Sequence, residues 1–220
     1  MARVAIVTGG AGETGAAAAF RLAEEGMDIA LLDPDETACA DTVRRITGLG
    51  HRCVVLNTDV TDAASVDAAL TEICAVLGDP AVLLNVTGDA TPGPLSGLSE
   101  HDWYASTGAR LRGVFLTSRA VVDPMIKNGW GRILTLAGPG HENATLRAGL
   151  AGFTRTIALE LKMFGITANA LVPAIPGAGS PATDADARSR YSAHVADALP
   201  FLAGEAASSV SGQVISVGTD

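Results

Sequence analysis

Short, continuous apolar runs alternate along this chain with longer segments in which apolar residues recur at helical spacing. The short runs predict strands buried on both faces, and the longer segments predict amphipathic helices. Repeated strand–helix–strand units require parallel pairing through right-handed crossovers, with helices on both sides of the sheet. The pattern predicts an α/β fold: one doubly wound domain over residues 1–220 with a mostly parallel, seven-stranded sheet. The predicted strands are Val4–Thr8, Asp28–Leu32, Cys53–Asn57, Ala81–Val86, Arg132–Leu136, Ile166–Val172 and Gln213–Val217.

Five segments between these strands have helical periodicity. They are Thr14–Glu25, Thr37–Leu49, Ala63–Leu77, Glu100–Lys127 and Asn143–Phe164, with a break expected near Gly108 in the fourth. The segment Pro173–Pro200 differs, because it is rich in Ala, Gly, Ser, Asp and Pro and follows the sixth strand. Sheets of this kind carry their ligand-facing loops at the carboxyl ends of the strands, so we expect a loop region there.

Composition narrows the class of protein. The 220 residues are 48% hydrophobic and 18% charged, which predicts a folded rather than a disordered chain. The net charge of −9 disfavours binding to nucleic acid or to an anionic membrane surface. No apolar run is long enough to span a bilayer, and the first residues do not resemble a secretory signal. Three scattered cysteines predict reduced thiols, a cytoplasmic location and no metal site.

A glycine-rich turn follows the first predicted strand and opens the first predicted helix. Gly10–Gly15 reads G-A-G-E-T-G, which fits the G-x-G-x-x-G pattern of dinucleotide-binding turns in its required context. Asp33 ends the second predicted strand, where a carboxylate binds the ribose hydroxyls of NAD and repels the 2′-phosphate of NADP. The alternative is a structural turn with a helix-capping aspartate. The pattern predicts NAD as the cofactor, if any is bound.

The glycine turn is one of three motifs that follow predicted strands: Thr8–Gly15, Asp59–Asp62 and Asn85–Gly88. They resemble, in that order, the T-G-x-x-x-G-x-G turn, the adenine-contacting D-V-T/S-D segment and the N-N-A-G motif of the short-chain dehydrogenase/reductase (SDR) family. The resemblance covers essentially the whole chain and implies a Rossmann-like domain. It continues through Pro124–Ile133, Gly152–Leu161, Asn169–Pro173 and Gly212–Val214.

The resemblance also implies where a nicotinamide cofactor would bind, as a weak or relic site. The implied positions are Gly9, Gly12, Gly15, Asp33, Asp59, Val60, Asn85, Gly88, Arg147 and Pro173.

The catalytic positions implied by the resemblance carry other residues. Family members use a tyrosine as general acid/base with a lysine four residues later, and these positions fall on Asn143 and Arg147. The carbonyl-binding serine falls on Gly138, and the asparagine that anchors a proton-relay water falls on Arg110. An asparagine amide does not exchange a proton near neutral pH, and an arginine stays charged. We therefore expect no intact family catalytic site.

Two other departures concern the cofactor and the substrate. Glu13 replaces a family glycine beneath the pyrophosphate, so cofactor binding is expected to be weak or absent. The segment between Pro173 and Gly212 is shorter than is usual in the family, which implies a shortened substrate lid over about 173–200.

Three hypotheses follow from these departures. The first is an SDR pseudoenzyme: a non-catalytic subunit of a hetero-oligomeric NAD-dependent dehydrogenase, paired with an active homologue in a heterotetramer, or else a homo-oligomer. Its substrate would be a hydroxy or keto compound, with an acyl-CoA thioester as one possibility. The second is an active NAD-dependent oxidoreductase with a rebuilt acid/base site at His141 or Tyr191, with His194 and Tyr104 as further candidates. The third is an NAD- or ligand-sensing protein.

The helix Asn143–Phe164 is the expected site of association. One stripe of it is apolar and suits the protein's own sheet. The other face is expected to be small enough for a partner helix to approach. The residues of that second face are Ala151, Thr154, Ala158 and Leu159.

Overall fold

The computed structural model describes residues 2–88, 95–138, 144–173 and 185–218 of the chain. Its sheet has seven strands in the order β3-β2-β1-β4-β5-β6-β7, and every adjacent pair is parallel. The predicted fold class is confirmed, with a sheet that is wholly rather than mostly parallel. The strands are β1 Val4–Thr8, β2 Asp28–Asp33, β3 Cys53–Asn57, β4 Pro80–Val86, β5 Gly131–Leu136, β6 Ile166–Pro173 and β7 Val214–Val217.

Helices cover both faces of the sheet. The α-helices are α1 Glu13–Glu24, α2 Ala40–Gly48, α3 Ala63–Val76, α4 Glu100–Trp103, α5 Ala109–Asn128, α6 Ala144–Leu161 and α7 Ala185–Leu202. Residues of α1, α2 and α7 share one apolar cluster with the sheet, and residues of α3, α5 and α6 share the other. In the part of the chain that the structure describes, no helix combines the length and apolarity needed to cross a membrane.

Two sequence expectations need correction. The helix expected to break near Gly108 does not break, because α4 continues into α5 through a π-helical turn over Tyr104–Gly108. The segment Pro173–Pro200 is not mainly a loop, because α7 occupies its second half. Alanine favours helix, and the alanine-rich α1 and α7 pack closely against each other. Tertiary packing thus stabilises a helix whose composition resembles that of a loop.

The outer face of α6 also differs from the expectation. Thr154 and Ala158 are buried within the chain at 2% and 5% exposure, whereas Leu159 is 80% exposed. Two of the four residues expected on the outer face therefore pack inside the chain.

The strand order places a crevice at the carboxyl edge of the sheet. The chain leaves β1 toward β2 on one side, and β4 lies on the other side of β1. Ligands of doubly wound sheets bind where the strand order reverses in this way. The turn after β1, the end of β4 and the end of β5 are the elements on which a site would be built.

Candidate functional site

The glycine turn after β1 forms one wall of the crevice. Gly9 adopts a φ of +68°, and its carbonyl accepts the amide of Gly12 at 3.1 Å. A Cβ atom on Gly15 would lie 2.0 Å from the Gly9 carbonyl oxygen, so α1 starts this close to the turn only with glycine there. Gly12 has an ordinary φ of −75° and N-caps α1 without a side-chain hydrogen bond.

A carboxylate stands where this turn would bind an anion. Glu13 is the first residue of α1 and its side chain is exposed. The amides of a first helical turn attract negative charge, which is why pyrophosphates bind at such termini. Glu13 supplies negative charge from the chain itself and would repel a second anion.

Asp33, the predicted ribose ligand, is bonded within the chain. It is 7% exposed, and its Oδ2 accepts the amide of Ala11 at 2.9 Å. Its Oδ1 accepts the amide of Asp35 at 3.0 Å. A carboxylate has about four acceptor positions, so these two amides use only part of its hydrogen-bonding capacity.

The predicted adenine segment forms a compact turn. Oδ1 of Asp59 accepts the hydroxyl of Thr61 at 2.7 Å and its amide at 2.8 Å. These hydrogen bonds hold the pKa of the Asp59 carboxyl below its ordinary value of 3.8. Val60 packs against α5, where a Cβ atom on Gly113 would lie 3.1 Å from Val60 Cγ2.

Asn85 at the end of β4 is a buried structural link to α5. Its Oδ1 accepts the hydroxyl of Thr117 at 2.6 Å, and its Nδ2 donates to Ser118 Oγ at 3.4 Å. Gly88, three residues later, has a φ of +68°. Pro173 is the last residue of β6 and pairs in register with Val217.

A cavity of about 210 Å³ opens between the ends of β1 and β4 and helix α5. Arg110, which the resemblance assigned to the family asparagine, contributes positive charge to its wall. The lining residues are Thr8, Val60, Thr61, Asn85, Val86, Thr87, Ala105, Ala109, Arg110, Gly113 and Val114.

Gly138, which the resemblance assigned to the family serine, offers only its backbone amide at the end of β5. The amide of Gly138 donates to Thr87 Oγ1 at 3.3 Å, and that hydroxyl donates to the carbonyl of Leu136 at 3.0 Å. Thr87 therefore braces the end of β4 against the end of β5. Gly138 has no side chain to orient a substrate carbonyl, and its amide already has a partner.

Two of the predicted residues near α6 lie outside the described residues, namely Asn143 and His141. Arg147 is described and stands half-buried in the first turn of α6.

Neither of the protein's two tyrosines lies in an environment suited to a catalytic acid. The Tyr191 ring is 6% exposed, and its hydroxyl donates to the carbonyl of Ala137 at 2.8 Å. Tyr104 lies in the π-helical turn, 49% exposed, with its ring beside Gly108. His194 is half-buried in α7, one turn after Tyr191. Tyr191, an alternative acid in the second hypothesis, is thus a buried anchor.

The next residue of α7 contacts the glycine turn. Ser192 is 3% exposed, and its Oγ lies 2.8 Å from Oγ1 of Thr14 in the first turn of α1. In this structure α7 therefore joins the start of α1 to the end of β5.

These contacts determine what a dinucleotide would meet among the described residues. Asp33 already accepts two backbone amides, and Glu13 adds negative charge at the start of α1. The Thr14 hydroxyl and the Ala137 carbonyl form hydrogen bonds with residues of α7.

Sequence reasoning missed the contacts that α7 makes. The pairs Thr14–Ser192 and Tyr191–Ala137 join residues far apart in the chain. The useful signal was the spacing of apolar residues at Tyr191, Val195 and Leu199, which is helical and lies within the alanine-rich segment.

Comparison with known proteins agrees with the fold and the motifs. The family described as short chain dehydrogenase matches residues 3–183. The short-chain dehydrogenase/reductase family member NovK of Streptomyces niveus is 38% identical, over 99% of this chain and 95% of its own. The (2S)-[(R)-hydroxy(phenyl)methyl]succinyl-CoA dehydrogenase subunit BbsD of Thauera aromatica is 34% identical, over 79% and 73%.

Solved structures give the same result. The acetoin dehydrogenase from Enterobacter cloacae superposes with a TM-score of 0.84 at 30% identity, covering 99% of this chain and 95% of that one. With the parallel sheet, the glycine turn and the matched motifs, these similarities establish that the chain belongs to the short-chain dehydrogenase family.

Proposed function

We propose that this chain is a non-catalytic subunit of the SDR fold. It assembles in the cytoplasm with a homologous, catalytically complete chain into a hetero-oligomeric NAD-dependent dehydrogenase. The complex acts on a hydroxy or keto substrate, and the active chain supplies the acid/base groups and the cofactor. This chain contributes a folded surface that supports its partner.

The setting of the tyrosines carries the proposal. The family position for the phenolic acid holds Asn143, and neither tyrosine of the chain replaces it. The Tyr191 hydroxyl donates a hydrogen bond to a backbone carbonyl inside the protein, while Tyr104 is exposed on the π-helical turn. A positioned general acid contributes about 10²–10⁴-fold to rate, so its loss alone removes most of the activity.

An exposed apolar face supports association. Leu159 and Met163 are 80% and 83% exposed on α6 and the short helical turn after it, and Phe115 is 45% exposed on α5. The Phe115 ring meets Phe153 of α6 edge-on, with centroids 6.5 Å apart, so α5 and α6 contact each other at this point. Large exposed apolar patches mark protein contacts. We call Phe115, Leu159 and Met163 the α5–α6 face.

The named assembly of one relative supports the choice of partner. BbsD is described as a subunit of a dehydrogenase for a succinyl-CoA derivative. By that analogy, a CoA thioester of a hydroxy acid is the candidate substrate class for the complex proposed here.

Purification from the native source and a turnover assay test the proposal. We expect a dehydrogenase-like chain to co-purify, and we expect the isolated protein to show no ketone reduction or alcohol oxidation above a no-enzyme blank with NAD or NADP. Turnover that His141→Ala abolishes and His101→Ala preserves would favour the rebuilt active site instead. No turnover and no dehydrogenase-like partner would leave the sensor hypothesis, for which the cavity beside Asn85 is the candidate binding site.

A further inference from the structure

Helix α7 contacts two points that border the carboxyl edge of the sheet. In doubly wound sheets the pyrophosphate lies at the start of the first helix, and the ligand extends across the carboxyl ends of the strands. Thr14 is at that helix start, and Ala137 follows β5 at the carboxyl edge of the sheet. Tyr191 and Ser192 bind these two points from a single turn of α7.

The contacts are buried and are part of the main core. Tyr191, Ser192 and Ala137 are 6%, 3% and 2% exposed. The Tyr191 ring belongs to the apolar cluster that α7 forms with α1, together with Val195 and Leu199. Moving the ring aside would break a buried hydrogen bond and expose apolar surface. These side chains are therefore a firm part of the fold.

We propose that Tyr191 and Ser192 determine which ligand the crevice accepts. They occupy the space beyond the start of α1, so the crevice admits an adenosine-sized ligand and excludes a complete dinucleotide. This inference rests on the proposed function, because a subunit without catalytic groups needs no hydride donor of its own. A chain that still performed hydride transfer would keep this space open.

The space left for a nucleoside lies on the other side of the glycine turn. The 210 Å³ cavity is bordered by Val60 and Asn85, two positions that the family resemblance assigns to the cofactor. None of Thr14, Ala137, Tyr191 and Ser192 lines it. The adenosine portion of a ligand and the α7 contact therefore use different residues, and a substitution can change one without the other.

Calorimetric titration with adenosine and with NAD tests the inference. The protein carries Glu13→Gly throughout, so that the carboxylate at the pyrophosphate position does not hide the effect. We expect Tyr191→Ala to tighten NAD binding by about tenfold or more while the affinity for adenosine stays within about twofold. Tyr104→Ala removes the other tyrosine, which is exposed, and should change neither affinity. Tyr191→Phe keeps the ring and should leave NAD binding weak.

Two results would overturn the inference: NAD binding about tenfold tighter than adenosine with Tyr191 present, or a gain on Tyr191→Ala well short of tenfold. Thermal melting shows whether Tyr191→Ala folds. If it does not fold, ¹⁹F NMR of the chain labelled with 3-fluorotyrosine tests whether NAD changes the environment of Tyr191. The Tyr104→Phe variant assigns the two tyrosine signals. An unchanged Tyr191 signal at about 1 mM NAD supports the inference, and a saturable shift below that concentration contradicts it. Neither measurement involves turnover or a partner, so the proposed function can fail separately.

Discussion

The guanidinium group of Arg52 closes over the carboxylate of Asp28 at the amino end of β2. Nε and Nη2 of Arg52 lie 2.9 and 2.7 Å from Oδ2, and the Arg52 amide donates to Oδ1 at 2.9 Å. The same guanidinium donates to the carbonyls of Val76 and Leu77 at the end of α3. Arg52, the residue before β3, thus joins the start of β2 to the end of α3.

Replacing this arginine should destabilise the fold. Asp28 is 5% exposed, so Arg52→Ala leaves a buried carboxylate without its charged partner and lowers the free energy of unfolding by about 1–3 kcal/mol. Urea unfolding measures the change. Arg44→Ala is the control, because its ion pair with Asp41 is 78% and 63% exposed and should contribute less than about 0.5 kcal/mol. Equal losses in both variants would refute a special role for the Arg52–Asp28 pair, in which only the carboxylate is buried.

Acid should weaken the same contact. Burial raises the pKa of Asp28, but the hydrogen bonds and charge of Arg52, with a smaller effect of His51, outweigh burial and hold that pKa below 3.8. Stability from this group is therefore present above the unfolded-state pKa and is lost as the pH falls through the lower, folded-state value. We expect the stability difference between the parent and Asp28→Asn to shrink as the pH drops from about 6 toward 3. A difference that is constant over this range would contradict the assignment.

Glycine at position 15 is a steric requirement that can be tested directly. The Cβ atom of Gly15→Ala would lie 2.0 Å from the Gly9 carbonyl oxygen, which forces α1 away from the turn. We expect a loss of at least about 2 kcal/mol in unfolding free energy. Gly48→Ala in the last turn of α2, where nothing lies within 4 Å, should instead gain about 0.5 kcal/mol. Thermal unfolding of both variants makes the comparison.

The strands were predictable because each is a short apolar run, and β1, β2 and β5 are buried along their whole length. β1 and β3 have the predicted bounds, and the other strands differ by one residue at an end. The continuation of the fourth helix through Tyr104–Gly108 was not predictable, because a π-helical turn leaves no distinct apolar spacing. α7 was missed because its composition resembles a loop and its stability depends on α1.

The candidate site was predictable only as a set of positions. The motifs identified Gly9, Gly15 and Asp33, which lie together at the switch point. They did not show that the Asp33 carboxylate accepts two backbone amides of its own chain. Such contacts depend on which turns approach each other in space, and the spacing of residues within a motif does not specify that.

Charge at the glycine turn should limit nucleotide affinity. We expect Glu13→Gln to bind NAD about two- to fivefold more tightly than the parent, because a negative charge at the start of α1 opposes the pyrophosphate. The glutamine keeps the size of the side chain, so a gain seen only with Glu13→Gly would implicate bulk rather than charge. Calorimetry at two salt concentrations provides the check, since the charge effect weakens as salt rises. Equal affinity in all three proteins would show that Glu13 does not face the ligand.

Association should depend on the α5–α6 face. Leu159 and Met163 are the most exposed large apolar side chains of the described residues, and both are on α6 or immediately after it. Leu159→Glu and Met163→Glu place a charge in a contact that must exclude water, so each should weaken assembly by about tenfold or more. Light scattering of the pure protein and pull-down of the proposed partner measure this loss.

Leu49→Glu is the matched control for these two variants. Leu49 is 42% exposed beside α2, which packs on the opposite side of the sheet from α6. The Leu49→Glu variant should leave assembly unchanged. All three variants should keep the unfolding free energy of the chain within about 0.5 kcal/mol, because the altered side chains face solvent in the isolated chain. Assembly that resists Leu159→Glu and Met163→Glu would place the partner on another surface. A chain that remains monomeric and captures no partner would refute the subunit proposal itself.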